Sequence, residues 1–185
     1  MQIEKTDLDG IVIITPDVFS DDRGYFLESF QEKRYQEILG VEMRFVQDNV
    51  SYSKQGVLRG LHYQAPPFGQ AKLVTVLEGS VLDVAVDIRN GSPTYGKYVA
   101  VELSGENHRQ LYIPEGFAHG FVVKSESALF TYKCTNIYSK EHDRGIVWND
   151  PDLDIPWGVT DPIVLEKDLK HPHFADIAQE YIFKS

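Results

Sequence analysis

Val57-Leu-Arg-Gly-Leu-His-Tyr-Gln64, Gln70-Ala-Lys-Leu-Val-Thr-Val-Leu77 and Val81-Leu-Asp-Val-Ala-Val-Asp-Ile88 follow one another with only short gaps between them. Each run is short, and Gly and Pro punctuate the gaps, which is the pattern of strands rather than helices. The same pattern extends outward in both directions. Met43–Ser53 precedes these runs, and Gly96–Leu103, Gln110–Ile113, Phe121–Lys124, Ala128–Tyr138 and Gly145–Trp148 follow them. Leu77-Glu-Gly-Ser-Val81 reads as a hairpin turn. Strands recurring about every 8–12 residues predict an all-β antiparallel sandwich or barrel.

Outside this block the signals are sparser. Ile11-Val-Ile-Ile-Thr15 reads as a strand, followed by Pro16 and a turn-rich loop, Ser20-Asp-Asp-Arg-Gly24. One helix is expected over Phe30–Leu39. Ser29 with Glu32 would make its capping box, Gly40 its C-terminal residue, and Phe30, Ile38 and Leu39 its buried stripe. After Asn149-Asp-Pro151 the chain turns Pro- and Asp-rich, and His173–Phe183 reads as a short terminal helix. Without a repeat or a linker, residues 1–185 are expected to form one domain with a tail from about residue 150.

The 185 residues are enough to bury a core, and 42% hydrophobic with 25% charged residues is an ordinary globular balance. A single cysteine, Cys134, excludes an intramolecular disulfide framework and suits a reducing compartment. The charged start, Met1-Gln-Ile-Glu-Lys-Thr-Asp-Leu-Asp9, does not resemble a signal peptide. No apolar run approaches the roughly 20 residues of a membrane span. A soluble, cytoplasmic protein is expected. The formal net charge of −10 opposes nucleic-acid binding but not a small anion held by a few local cations.

Two segments carry candidate chemistry: Gly60-Leu-His-Tyr-Gln64, followed by Gln70-Ala-Lys72, and Ile113-Pro-Glu-Gly-Phe-Ala-His-Gly120. The second is similar to the P-x-G-x-x-H element of cupin barrels. A metal-binding cupin would also show His-x-His and a Glu in the first segment. Here Gln64 stands two residues after His62, and the next carboxylate is Glu78. Two histidines are a poor set for an ion that wants three or more ligands, so no metal and no cofactor are expected.

Without a metal, His62 is available for proton chemistry near neutral pH. Taken alone it reads better as a hydrogen-bonded core histidine. That reading weakens because Gln47, Asn49, Arg59, Lys72, His119 and Tyr132 crowd strands that otherwise read as barrel walls. Buried cations need partners, which points to an anionic ligand. On a regular strand Arg59 and His62 would face opposite sides. They can share a face only if a bulge falls at Gly60 between them.

At these residues the chain resembles the dTDP-4-dehydrorhamnose 3,5-epimerase family nearly end to end. The motifs are Phe19-Ser-Asp-Asp-Arg-Gly24, Phe45-Val-Gln-Asp-Asn49, Val57–Gln64, Gln70-Ala-Lys-Leu-Val74, Val84-Ala-Val-Asp-Ile-Arg89, Ile113–Gly120, Trp148-Asn-Asp-Pro151 and Glu166-Lys-Asp168. The resemblance implies a double-stranded β-helix (cupin-type jelly roll) with a few short helices. It also implies a dTDP-4-keto-6-deoxy sugar as substrate and a homodimer. His62 would be the base oriented by Asp168, Tyr132 the acid on the opposite face of the sugar, and Lys72 the group that stabilises the enolate.

Arg23, Phe26, Glu28, Gln47, Asn49, Arg59, His119 and Lys167 would hold the sugar diphosphate, and Tyr138 would stack on thymine. The dimer would let Arg23, Phe26 and Glu28 act in the partner's site. Asp143 stands where the family commonly has Glu, a contact shortened by one methylene. Taken alone, Tyr138 reads equally as a strand aromatic, and Lys167 and Asp168 as an exposed charged turn.

Chemically, a C4 ketone acidifies the C–H bonds at C3 and C5. A base, an enolate stabiliser and an opposite-face acid then suffice. Tyr132 would serve as that acid if the local field lowers its pKa from about 10. An enzyme that epimerises C3 alone shares nearly all of these motifs. A keto-sugar 3,4-isomerase fits the His62 and His119 contexts less well. A non-catalytic sugar-nucleotide-binding barrel would not need the acid–base set, and Gln64 argues against a metal-dependent oxygenase.

Overall fold

Alternation of apolar and polar side chains along short strands dictates walls with an inner and an outer face. The computed structural model describes residues 1–182. It opens with β1 (Gln2–Lys5), β2 (Val12–Thr15), β3 (Val18–Asp21), β4 (Gly24–Leu27) and helix α1 (Glu32–Leu39). The barrel strands are β5 (Gln47–Lys54), β6 (Val57–Gln64), β7 (Lys72–Glu78), β8 (Ser80–Asp87), β9 (Tyr98–Ser104), β10 (Gln110–Ile113), β11 (Phe117–Val123) and β12 (Ser127–Cys134). Two short strands, β13 (Asp143–Gly145) and β14 (Ile163–Val164), complete them.

One sheet runs β1-β2-β10-β7-β12-β5 and the other β13-β6-β11-β8-β9, while β3 and β4 form a separate hairpin. Every pairing of these strands is antiparallel except β14 on β6. The two large sheets face each other as the double-stranded β-helix that the resemblance implies.

Val74, Val76, Ala85, Leu111, Phe117, Phe121 and Phe130 fill the space between the sheets. The outer face of the second sheet, with Leu58, Leu61, Val84, Val86, Ala118 and Val122, is covered by Ile146, Leu153, Trp157 and Ile177 from the C-terminal segment. Helix α1 packs Tyr35 over Ile14, Leu73 and Tyr112, and the Tyr35 hydroxyl donates to Gln110 Oε1 at 2.7 Å.

Several expectations are corrected. Leu77–Val81 is not a hairpin, because β7 and β8 lie in opposite sheets and Gly79, at φ 77°, carries the chain across. Helix α1 begins at Glu32, not Phe30. Gln31 caps it by accepting from Arg34 N at 2.5 Å, while the Ser29 carbonyl serves Tyr35 and Gln110. Gly40 ends the helix at φ 66° as expected, but the buried residue is Tyr35, with Phe30, Ile38 and Leu39 only partly covered.

β11 begins at Phe117, so His119 lies within a strand. β12 stops at Cys134 and β13 starts at Asp143, which leaves Tyr138 in the loop between them. In place of a terminal helix there is a 3₁₀ turn at Phe174–Asp176, where Asp150 Oδ2 accepts from Phe174 N at 2.8 Å and His173 Nδ1 at 3.0 Å. Phe183 of that expected helix lies outside the described residues.

The bulge expected at Gly60 is present. Arg59 pairs with Phe121 and His62 with His119, so three steps on β6 match two on β11. Leu58 and Leu61 therefore both face outward, and His62 turns inward. A Cβ at Gly60 would lie 2.5 Å from Gly120 Cα, and φ there is 133°, so the bulge requires glycine.

Candidate active site

Toward one end of the barrel the inward-facing residues change from apolar to polar. In β7, Lys72 takes the inner position before Val74 and Val76, and in β12 Tyr132 follows Phe130. Register sets Lys72 beside Cys134, Tyr132 beside Asn49, and His62 beside Gly145. The result is a cavity of about 410 Å³ in which Tyr132 and Lys72 come from one sheet and His62 and Gln64 from the other. Gln47 and Asn49 line it from β5, and Tyr138, Asp143 and Lys167 line its rim.

His62 Nε2 lies 2.9 Å from Asp168 Oδ1, and the Asp168 side chain is only 3% exposed against 31% for His62. Asp168 arrives on a 3₁₀ turn of the C-terminal segment, Asp168–Lys170. Burial alone would raise its pKa, but the imidazoles of His171 and His62 more than offset this and hold the carboxyl well below its usual range. An ionised carboxylate only accepts, so it selects the Nε2–H tautomer of His62 and leaves Nδ1 with a lone pair.

Burial lowers the pKa of Lys72, and the carboxylates of Asp83 and Asp143 oppose that shift. Burial also raises that of Tyr132, with Cys134 and Asp143 adding to the effect and Arg59 opposing it. The lowered pKa on which the acid role of Tyr132 was made conditional is therefore not found: burial makes the phenol a weaker acid than it is in water. At the rim, Asp143 Oδ2 accepts from Lys167 Nζ at 2.5 Å and from the Tyr138 hydroxyl at 3.3 Å. That hydrogen bond raises the Lys167 pKa.

The remaining candidates do not line this cavity. Arg59 donates to Ser53 Oγ at 3.0 Å, close enough to act on Tyr132. His119 is buried behind the site with Nε2 2.9 Å from both Asp83 oxygens, and burial drives it toward the neutral form. Arg23 is 89% exposed on the β3–β4 turn beside Asp21, and Glu28 holds Arg34 at 2.6 Å. Phe26 is exposed on β4.

Sequence reasoning passed over two glutamines. Gln64 Oε1 accepts from Ser139 N at 2.8 Å and so shapes the loop that carries Tyr138, and Gln70 lines the cavity. In the sequence Gln64 stands where a metal ligand is missing, and its place two after His62 is the signal that it shares the same face. His62, Asp168 and His171 offer atoms within 4.8 Å of one another. His62 is already bonded to Asp168, so the group reads as two imidazoles around one carboxylate rather than ligands around an ion.

The model of a family described as dTDP-4-dehydrorhamnose 3,5-epimerase matches residues 5–176. The chain is 53% identical to the dTDP-4-dehydrorhamnose 3,5-epimerase of Shigella flexneri over 95% of its own length and 97% of the relative's. It is 54% identical to that of Methanothermobacter thermautotrophicus, over 89% of each chain. Among solved structures, the dTDP-6-deoxy-D-glucose-3,5-epimerase of Legionella pneumophila in complex with dTDP-4-keto-L-rhamnose superposes with a TM-score of 0.96. The two are 50% identical, with 100% of this chain and 99% of that one covered.

Proposed function

The chain belongs to the dTDP-4-dehydrorhamnose 3,5-epimerase family, and from this premise we propose how it inverts C3 and C5 of dTDP-4-dehydro-6-deoxy-D-glucose in dTDP-L-rhamnose biosynthesis. His62 removes the proton next to the C4 ketone, and the bonding pair moves onto the carbonyl oxygen as an enolate. Asp168 supports the imidazolium that forms. Lys72 stabilises the enolate oxygen. Tyr132, on the opposite wall, returns a proton to the other face of the carbon and is itself reprotonated from solvent, while His62 releases its proton to solvent before acting at the second carbon. The observation that carries this assignment is the 2.9 Å bond between His62 and buried Asp168, in a cavity whose facing wall presents Tyr132.

Gln47 and Asn49 hold the sugar diphosphate, with Lys167 and Asp143 at the rim and Tyr138 stacking on thymine, while Arg59, bonded to Ser53, and His119, bonded to Asp83, act from outside the cavity lining. Arg23, Phe26 and Glu28 lie away from the cavity of their own chain, which supports a homodimer in which they complete the partner's site. Free, buried Cys134 fits work in the cytoplasm, and no helix of the described residues is long and apolar enough to cross a membrane.

NMR of the keto sugar incubated with the protein in D2O tests the reading. Deuterium should enter at both C3 and C5, and EDTA should leave the rate unchanged. Exchange confined to C3 would overturn the double inversion. Activity lost to EDTA and restored by one metal would overturn the metal-free chemistry.

A further inference from the structure

Tyr138 stands on the loop of residues 135–142 between β12 and β13, and it is 52% exposed. Packing holds such a ring only weakly, so its place at the rim is set by its backbone. Main-chain bonds fix the two ends of the loop, Thr135 N donating to Ala71 O at 3.0 Å and Ala65 N to His142 O at 2.8 Å. Three glutamine side chains hold its middle. Gln70 Nε2 donates to Asn136 O at 2.8 Å, Gln47 Oε1 accepts from Tyr138 N at 2.9 Å, and Gln64 Oε1 accepts from Ser139 N at 2.8 Å. They reach the loop from β5, from β6 and from the connection between β6 and β7.

We propose that Gln64 and Gln70 are positioning residues that hold the Tyr138 ring in place for a nucleotide base before the ligand arrives, and so set the affinity for the nucleoside diphosphate. This rests on the reading that Tyr138 stacks on thymine. The bonds from both glutamines go to main-chain atoms on either side of Tyr138, which fixes the direction in which its side chain leaves the loop. A slack loop would have to be ordered on binding, and that cost is subtracted from affinity.

Gln64 is built for this task rather than for touching the ligand. It is only 5% exposed, and its carbonyl oxygen is already engaged by Ser139 N. Its Nε2 points to Asp143, 3.5 Å from Oδ1, while Oδ2 of the same carboxylate accepts from the Tyr138 hydroxyl at 3.3 Å. A primary amide offers an acceptor and a donor at the same reach, so one side chain serves the loop backbone and faces the group that holds the tip of the ring.

Gln64→Met and Gln70→Met keep an unbranched side chain of similar length but remove the bonds to the loop. The probe is dTDP, its affinity measured by calorimetry in the wild-type and Tyr138→Ala backgrounds. Each methionine variant should weaken dTDP by about 3–10-fold when Tyr138 is present, the loss of one hydrogen bond, and by less than about twofold when it is absent. Equal losses in both backgrounds would mean that the glutamines touch the ligand themselves, and overturn the proposal. So would wild-type affinity in the folded variants. A Tyr138→Ala chain that binds dTDP as tightly as wild type rejects the stacking itself, and the proposal with it. Should the buried Gln64→Met fail to fold, hydrogen exchange of the ligand-free wild-type protein decides for Gln64. Tyr138 and Ser139 amides protected by about tenfold or more support a loop held in advance, and exchange at unprotected rates overturns it.

Discussion

Asp168→Asn places a side chain of nearly the same shape where only 3% of the carboxylate is exposed, and changes chiefly the direction of its hydrogen bonds. The carboxylate obliges His62 to present Nε2–H at 2.9 Å, which leaves Nδ1 free to take a proton. An amide that presents its N–H to Nε2 stabilises the opposite tautomer, in which Nδ1 carries a hydrogen and cannot act as base. It also ceases to support the imidazolium.

A hydrogen bond to a charged group contributes about 1.5–3 kcal/mol, or roughly 10–150-fold in rate. The equivalent exchange in a serine-protease triad costs about 10⁴-fold. His62 is 31% exposed, so water can recover part of the loss. We expect kcat to fall by about 10²–10³-fold, with KM changed by less than about threefold, because Asp168 lies behind the cavity rather than on its wall. Initial rates together with deuterium entry at C3 and C5 measure both effects. A kcat within about threefold of wild type would refute the assignment of Asp168 as the orienting carboxylate.

The same variant has a stability signature. The folded-state pKa of Asp168 is depressed, so its contribution is present above the unfolded value of about 3.9 and is lost as pH falls through the lower folded value. Relative to neutral pH, the asparagine variant should therefore lose less melting temperature in acid than the wild type.

His62→Ala should abolish deuterium exchange at C3 and C5 together, and exchange surviving at either carbon would point to a second base. Tyr132→Phe should slow epimerisation by about 10²–10⁴-fold while same-face exchange outlasts it, and equal losses of both would deny Tyr132 the acid role. If Arg23 completes the partner's site, mixing Arg23→Ala with His62→Ala chains should restore activity in heterodimers. No recovery despite proven subunit exchange would place Arg23 elsewhere. Gly60→Ala should cost about 2–4 kcal/mol in denaturant titrations, since its Cβ meets Gly120 Cα at 2.5 Å and φ is 133°, and a loss below about 1 kcal/mol would mean that the bulge relaxes.

Much of the barrel was legible because period-two alternation is a local signal. β6 and β10 fall on their expected residues, and the parity conflict between Arg59 and His62 places the bulge at Gly60, where it is found. Local signals failed where partners far along the chain decide the outcome. Leu77–Val81 looks like a hairpin turn, yet its flanking strands pair in different sheets. The helix cap moved to Gln31 because the Ser29 carbonyl serves Tyr35 and Gln110.

The sequence by itself pointed to the wall residues of the cavity, because His62, Lys72 and Tyr132 are polar residues on strands that otherwise read as barrel walls and lie in segments that carry the family resemblance. Only the tertiary structure decided how the groups behind them are held. Asp168, which the resemblance implied as the orienting carboxylate, reads locally as part of an exposed charged turn, and His171 carries no local signal. They become a buried carboxylate and its second imidazole once the C-terminal segment folds over β13, where Gly145 leaves room for the ring. Tyr132 is the converse case, a phenol whose position was legible but whose proton affinity was not. Burial, set by every neighbour that excludes water, outweighs the one cation, Arg59, that would have lowered it.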